Sequence, residues 1–156
     1  MVFGTVLQPG GGPAWWVLGD LYTFKLSGEP GAPLAVVETT TFPGNGPPPH
    51  IHRREDETLF ILEGTYAVRL GERELHAAPG SFVHIPRGTP HTYRNLGSDP
   101  ARMLVTLTPA GFERFWQEIG EPATQRATPP AVDTAAVQRA LAAAPRFGLE
   151  IKEPGA

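Results

Sequence analysis

GNGPPPHIHRREDETLFILEG, residues 44–64, and GSFVHIPRGTPHTYRN, residues 80–95, decide how this chain folds. In the first stretch a Gly/Pro loop gives way to His50-Ile51-His52. On a strand, residues i and i+2 point to the same side with Cα atoms roughly 7 Å apart, so the two imidazoles can converge on one point. Glu57 follows five residues later, at the start of an apolar run that ends in the turn Glu63-Gly64. In the second stretch the turn Pro86-Arg87-Gly88-Thr89-Pro90 delivers His91 to the head of another strand.

Working outward, short β-rich runs continue on both sides. Residues 15–25 and 33–42 precede the loop at 43–49. Strands are predicted at 57–63, 65–70, 73–78, 81–86, 91–95 and 101–107. Turn signals at Gly71-Glu72, Pro79-Gly80 and Gly97-Ser98-Asp99-Pro100 separate several of them. Many short strands with this spacing predict an all-β sandwich or small barrel. Residues 1–14 read as an irregular arm. After Thr108, a predicted N-cap before Pro109, the period changes. Phe112, Phe115, Trp116 and Ile119 lie at i, i+3, i+4 and i+7, one helical face closed by Gly120 and expected to pack outside the barrel or against a partner. A second helix is predicted at 134–144, capped by Asp133 and stopped by Pro145; its alanines make it peripheral, and the tail from Ile151 reads as frayed. The chain thus divides into an arm with the first strands (1–32), a core (33–108) and a helical extension (109–156).

Composition narrows the function. Thirteen Lys and Arg against 16 Asp and Glu give a net charge of −3, which argues against nucleic acid as partner. Gly and Pro, 18 each among 156 residues, exclude a long-helix bundle. No cysteine is present, so disulfides, zinc ribbons and thiol nucleophiles are out, and a reducing cytoplasm suits the chain. The amino-terminal stretch lacks the basic start of a secretory signal, and no segment approaches a membrane span. There is no Gly-x-Ser-x-Gly elbow and no P-loop. Three imidazoles and one carboxylate suit Fe, Mn, Ni, Co or Zn rather than Ca or Mg.

The surrounding punctuation adds a resemblance. Gly44, His50, His52, Glu57 and Gly64 are spaced as a Gly, five residues, His-x-His, four residues, Glu, six residues, Gly. Gly80, Pro86, Gly88, His91 and Asn95 form the second pattern, fifteen residues on. Both resemble the paired motifs of the cupin superfamily, and the likeness covers about residues 33–108. It implies an antiparallel double-sheet jelly-roll β-barrel with His50, His52, Glu57 and His91 as ligands of one divalent first-row transition metal per chain. It further implies Gly64 and Gly88 in crowded turns, Asn95 as strand support, and a cytoplasmic homodimer. The wording around the motifs is similar to small single-domain, quercetin-dioxygenase-like cupins. That resemblance implies a dioxygenase acting on a small aromatic or enolic compound such as a flavonol, with Glu57 doubling as general base. A metal-dependent isomerase or decarboxylase, and a non-catalytic binding or sensor cupin, stay open at this point.

The remaining candidates follow from parity. Tyr93, two residues from His91, shares its face and can reach a ligand. Glu38 lies on a strand able to line the cavity, where a buried carboxylate needs a partner. His84 and His76 fall on the opposite parity and are surface residues. The cavity strands carry no cluster of Lys or Arg to hold phosphate, so the ligand is expected to be mostly apolar. Trp15, Trp16, Phe112 and Trp116 need burial, which points to a second copy with the amino-terminal arm exchanged.

Overall fold

Alternation along the longest strands builds the core. Ala101, Met103, Val105 and Leu107 face inward, as do Glu57, Leu59 and Ile61, while their neighbours face out. The computed structural model describes residues 4–152. In chain order its strands are β1 (Ala14–Val17), β2 (Asp20–Leu26), β3 (Ala35–Thr41), β4 (His50–His52), β5 (Asp56–Glu63) and β6 (Tyr66–Leu70). Then come β7 (Arg73–Ala77), β8 (Phe82–Ile85), β9 (His91–Asn95), β10 (Ala101–Thr108), helix α1 (Glu113–Ile119) and β11 (Glu121–Pro122). Helix α2 (Thr134–Ala143), a 3-10 turn (Ala144–Phe147) and β12 (Leu149–Ile151) complete the fold.

Among the described residues two antiparallel sheets form, in the orders β11-β1-β2-β3-β10-β5-β8 and β12-β4-β9-β6-β7. They make a jelly-roll-like sandwich and do not close into a barrel. Val37, Leu59, Ile61, Tyr66, Val68, Met103, Val105 and Leu107 fill the space between them. Gly64 is required twice over: its φ is +80°, and a Cβ there would lie 2.5 Å from that of Ala101. Gly88 meets no such crowding and serves through its φ of +83° alone.

Three expectations change. Helix α1 starts at Glu113 rather than after Thr108, because Gly111 takes a φ of +136° that no helix allows and Thr108 still belongs to β10. The buried Glu113 carboxylate accepts from the N–H groups of Gly111 and Gly28, tying the helix to the β2–β3 loop. Helix α1 does not lie outside the sandwich. Phe112, Phe115, Trp116 and Ile119 line the cavity at one end of it, and α2, mostly exposed as its alanines suggested, buries Ala140 and Ala143. The tail at Ile151 is not frayed: β12 pairs with β4 in the register Leu149↔His52 and Ile151↔His50.

Trp16, Phe112 and Trp116 are buried within one chain and Trp15 meets Phe24 edge-to-face, so these aromatics do not call for a second copy. Part of the arm is hydrogen-bonded to the strands and loop beside it. Arg126 donates to the carbonyls of Gly10 and Gly12, Lys25 to that of Gly11. Residues 1–3 of the expected arm and 153–156 of the expected tail lie outside the described residues. No helix among those described is long and apolar enough to cross a membrane.

Candidate metal centre

The two sheets each bring part of the site. Strand β4 presents His50 and His52 on one face, and the antiparallel ladder sets His91 of β9 directly opposite His50. Their ring centroids are 5.0 Å (His50–His52), 4.2 Å (His50–His91) and 5.5 Å (His52–His91) apart. Glu57 arrives from β5 in the other sheet, because the bend at residues 53–55 turns the chain across the sandwich. All four side chains are buried, and one ligand atom from each lies within 4.8 Å of the others. Glu57 Oε2 is 2.8 Å from His91 Nε2 and 3.5 Å from His52 Nε2.

The imidazoles are held from behind. His50 Nδ1 lies 2.8 Å from the Pro48 carbonyl and His91 Nδ1 2.9 Å from that of Thr89. A carbonyl can only accept, so each Nδ1 carries the proton and leaves Nε2 facing the cluster. Behind His52 stands Glu55, whose Oε2 is 3.7 Å from His52 Nδ1.

Electrostatics favours ligating forms. Burial alone pushes the Glu57 carboxyl up, but the His91 hydrogen bond and the nearby His52, His91 and His50 outweigh it and hold it at about 2. Burial, with the adjoining His91 and His52, lowers His50 to about 3, so that ring is neutral. Burial also opposes charge on His91, yet its hydrogen bond to Glu57 raises it above the ordinary value. One carboxylate oxygen and three imidazoles meeting at one buried point are a donor set that fits a first-row divalent ion, and such an ion would have to displace the proton that Glu57 favours on His91.

The cluster forms one end of a cavity of about 210 Å³. Its walls are mostly apolar and include Val17, Leu18, Phe112, Trp116, Ile119 and Leu149. Phe112 meets the His52 ring edge-on at 4.3 Å, and Trp116 leans on Tyr22 at 4.7 Å. Tyr93 lines the cavity, as its parity predicted. Glu38 does not. It points from the outer face of β3 and pairs with Lys25 at 3.4 Å and Arg102 at 2.9 Å, because its neighbours Val37 and Thr39 hold the inward positions. His84 and His76 are exposed.

Two acidic residues escaped the sequence reading. Asp20 lines the cavity, nearly buried, with Oδ1 accepting from Phe42 N–H (2.9 Å) and Asn45 Nδ2 (3.1 Å). Burial is the dominant influence and lifts its carboxyl to about 6 against those two hydrogen bonds. Glu55 lies in the bend between β4 and β5, where no strand period applies. The one signal available for Asp20 was its place after Leu18-Gly19, a turn in which both residues have positive φ.

With the geometry in hand, comparison with known proteins agrees. Residues 38–107 match the family described as "Cupin domain". Together with the jelly-roll architecture and both motifs, this match over less than half of the chain supports a cupin superfamily protein. A quercetin 2,3-dioxygenase of Bacillus subtilis is 37% identical over 73 residues, covering 47% of this chain and 21% of that enzyme. The tetracenomycin polyketide synthase protein TcmJ of Streptomyces glaucescens is 28% identical over 106 residues, 68% of this chain and 62% of that protein. The chain therefore spans less than two thirds of either relative. The structure of KdgF from Halomonas sp. shares the fold with a TM-score of 0.58 and 20% identity, covering 64% of this chain and 89% of the other.

Proposed function

We propose that this chain is a metal-dependent dioxygenase acting on a small, mostly apolar aromatic or enolic compound, with a flavonol such as quercetin as the first substrate to try. The observation that carries the reading is the position of the His50, His52, Glu57 and His91 cluster at the end of an apolar-walled cavity. The similarity to a quercetin 2,3-dioxygenase over the same segment supports the choice of chemistry.

These four residues would hold one divalent ion, which supplies Lewis-acid polarisation of a substrate oxygen and access to O₂. Phe112, Trp116 and Ile119 exclude water and press a flat ring against the cluster. Glu57 stays ionised and accepts the hydroxyl proton of the substrate at Oε. No Lys or Arg lines the cavity among the described residues, whereas two carboxylates do, so an anionic phosphorylated ligand is disfavoured. The setting is a reducing cytoplasm and the assembly a homodimer. A sedimentation mass near 17 kDa at micromolar concentration would overturn the dimer.

The test is oxygen uptake by protein loaded separately with Fe, Mn, Ni and Co, on flavonols and catechols. Substrate-dependent uptake that disappears in Glu57→Ala with metal retained is the expected result. Absence of uptake with every ion and phenol would replace this reading with that of a binding protein.

A further inference from the structure

Each imidazole of the cluster has a group behind it, and one of the three differs in kind. His50 and His91 rest on main-chain carbonyls, Pro48 and Thr89, each two residues earlier in the chain. His52 has no such carbonyl. Its Nδ1 faces Glu55 Oε2 across 3.7 Å, and both atoms are buried without any hydrogen-bond partner. Both residues are about 95% buried or more. Two orphaned polar atoms at that depth each cost stability, and a donor facing an acceptor is the arrangement that removes both costs. Closing the 3.7 Å gap by about 0.8–1 Å makes a charge-assisted hydrogen bond of ordinary length.

We infer that Glu55 is a positioning residue for the metal centre: its carboxylate holds the Nδ1–H of His52, fixes that ring with Nε2 toward the ion, and makes His52 the most strongly donating of the three imidazoles. The inference rests on the metal-binding reading above. Carboxylate-backed imidazoles are more basic than carbonyl-backed ones and better anchored. The centre is therefore electronically lopsided, with an anion behind His52 and neutral carbonyls behind His50 and His91. Glu55 itself is no ligand, since its near oxygen lies on the far side of the His52 ring from the cluster.

Two variants separate this role from simple packing. Glu55→Gln keeps the size and an acceptor oxygen but loses the charge; Glu55→Ala loses both. Chelator competition with Zn(II) and Co(II) is expected to show affinity lower by about 10- to 100-fold in Glu55→Ala and an intermediate loss in Glu55→Gln. The visible spectrum of the Co(II) form should shift in both, because the donor strength of one imidazole changes. In metal-free protein, imidazole ¹⁵N spectra should show His52 protonated at Nδ1 in the wild type and redistributed toward Nε2 in Glu55→Ala, with His50 and His91 unmoved. Wild-type affinity and an unchanged Co(II) spectrum in Glu55→Ala would overturn the inference. If the wild type binds neither ion, the metal reading fails first, and the nitrogen spectra alone then decide whether Glu55 sets the His52 tautomer.

Discussion

Asp20→Asn should make the metal-free protein more stable near neutral pH, although it removes a charged group that accepts two hydrogen bonds. The Asn Oδ1 can still accept from Phe42 N–H and Asn45 Nδ2, so both survive. What disappears is the cost of keeping a carboxylate out of water. Burial lifts Asp20 from 3.8 to about 6 in the folded chain. At ~1.4 kcal/mol per tenfold change in proton affinity, that rise corresponds to about 3 kcal/mol. The direction follows from proton counts. Below pH 4 folded and unfolded chains both hold the proton, and Asp20 costs nothing. Between pH 4 and 6 the folded chain keeps a proton the unfolded chain has lost, so stability falls as pH rises. Above pH 6 both are ionised and the full cost is present. Urea unfolding of chelator-treated wild type and Asp20→Asn from pH 4.5 to 7.5 measures it. His50 and His91 titrate in both proteins and cancel in the difference. That difference should grow with pH and level off at about 3 kcal/mol in favour of the variant. A flat difference, or a variant less stable than wild type at pH 7, would refute the assignment of a strained carboxylate to the cavity wall.

Three further outcomes are expected. His52→Ala should lose most of its metal by elemental analysis while its far-UV spectrum stays that of the β-sandwich. In the wild type, metal affinity should fall about tenfold per pH unit once the solution is acid enough for His91 to keep its proton, since one proton must leave for the ion to bind. Asn95→Ala should cost about 3 kcal/mol in urea unfolding without changing metal affinity: its amide donates to the carbonyls of Thr41 and Asp99 and accepts from Gly97 N–H, three bonds at ~1 kcal/mol each.

How much of this was legible varies with range. His50, His52, Glu57 and His91 could be read because glycines and prolines at fixed intervals set the turns that bring them together. Tyr93 followed from parity with His91. Glu38 stayed open between cavity and surface because alternation says which residues share a face and not which face is inside; Val37 and Thr39 took the core positions. Glu55 belongs to a bend, where neither period 2 nor 3.6 predicts direction. The faces of α1 and α2 were plain, but what they cover was not. That Phe112 and Trp116 close the cavity depends on the path of the chain after Thr108, which no local pattern encodes. Strand β12 is three residues long, too short for any period to reveal.

That short strand sets an order of events in the making of the protein. All four donors have been synthesised once His91 is made, and the family segment is complete at residue 107. Yet the strand bearing His50 and His52 still has an open edge, and Leu149–Ile151, about a hundred residues downstream of it, must arrive to close it. Helices α1 and α2 emerge in that same interval, so the cavity gains its roof and the ligand strand its last neighbour together. A nascent chain can therefore gather its imidazoles early, but only a finished one encloses them.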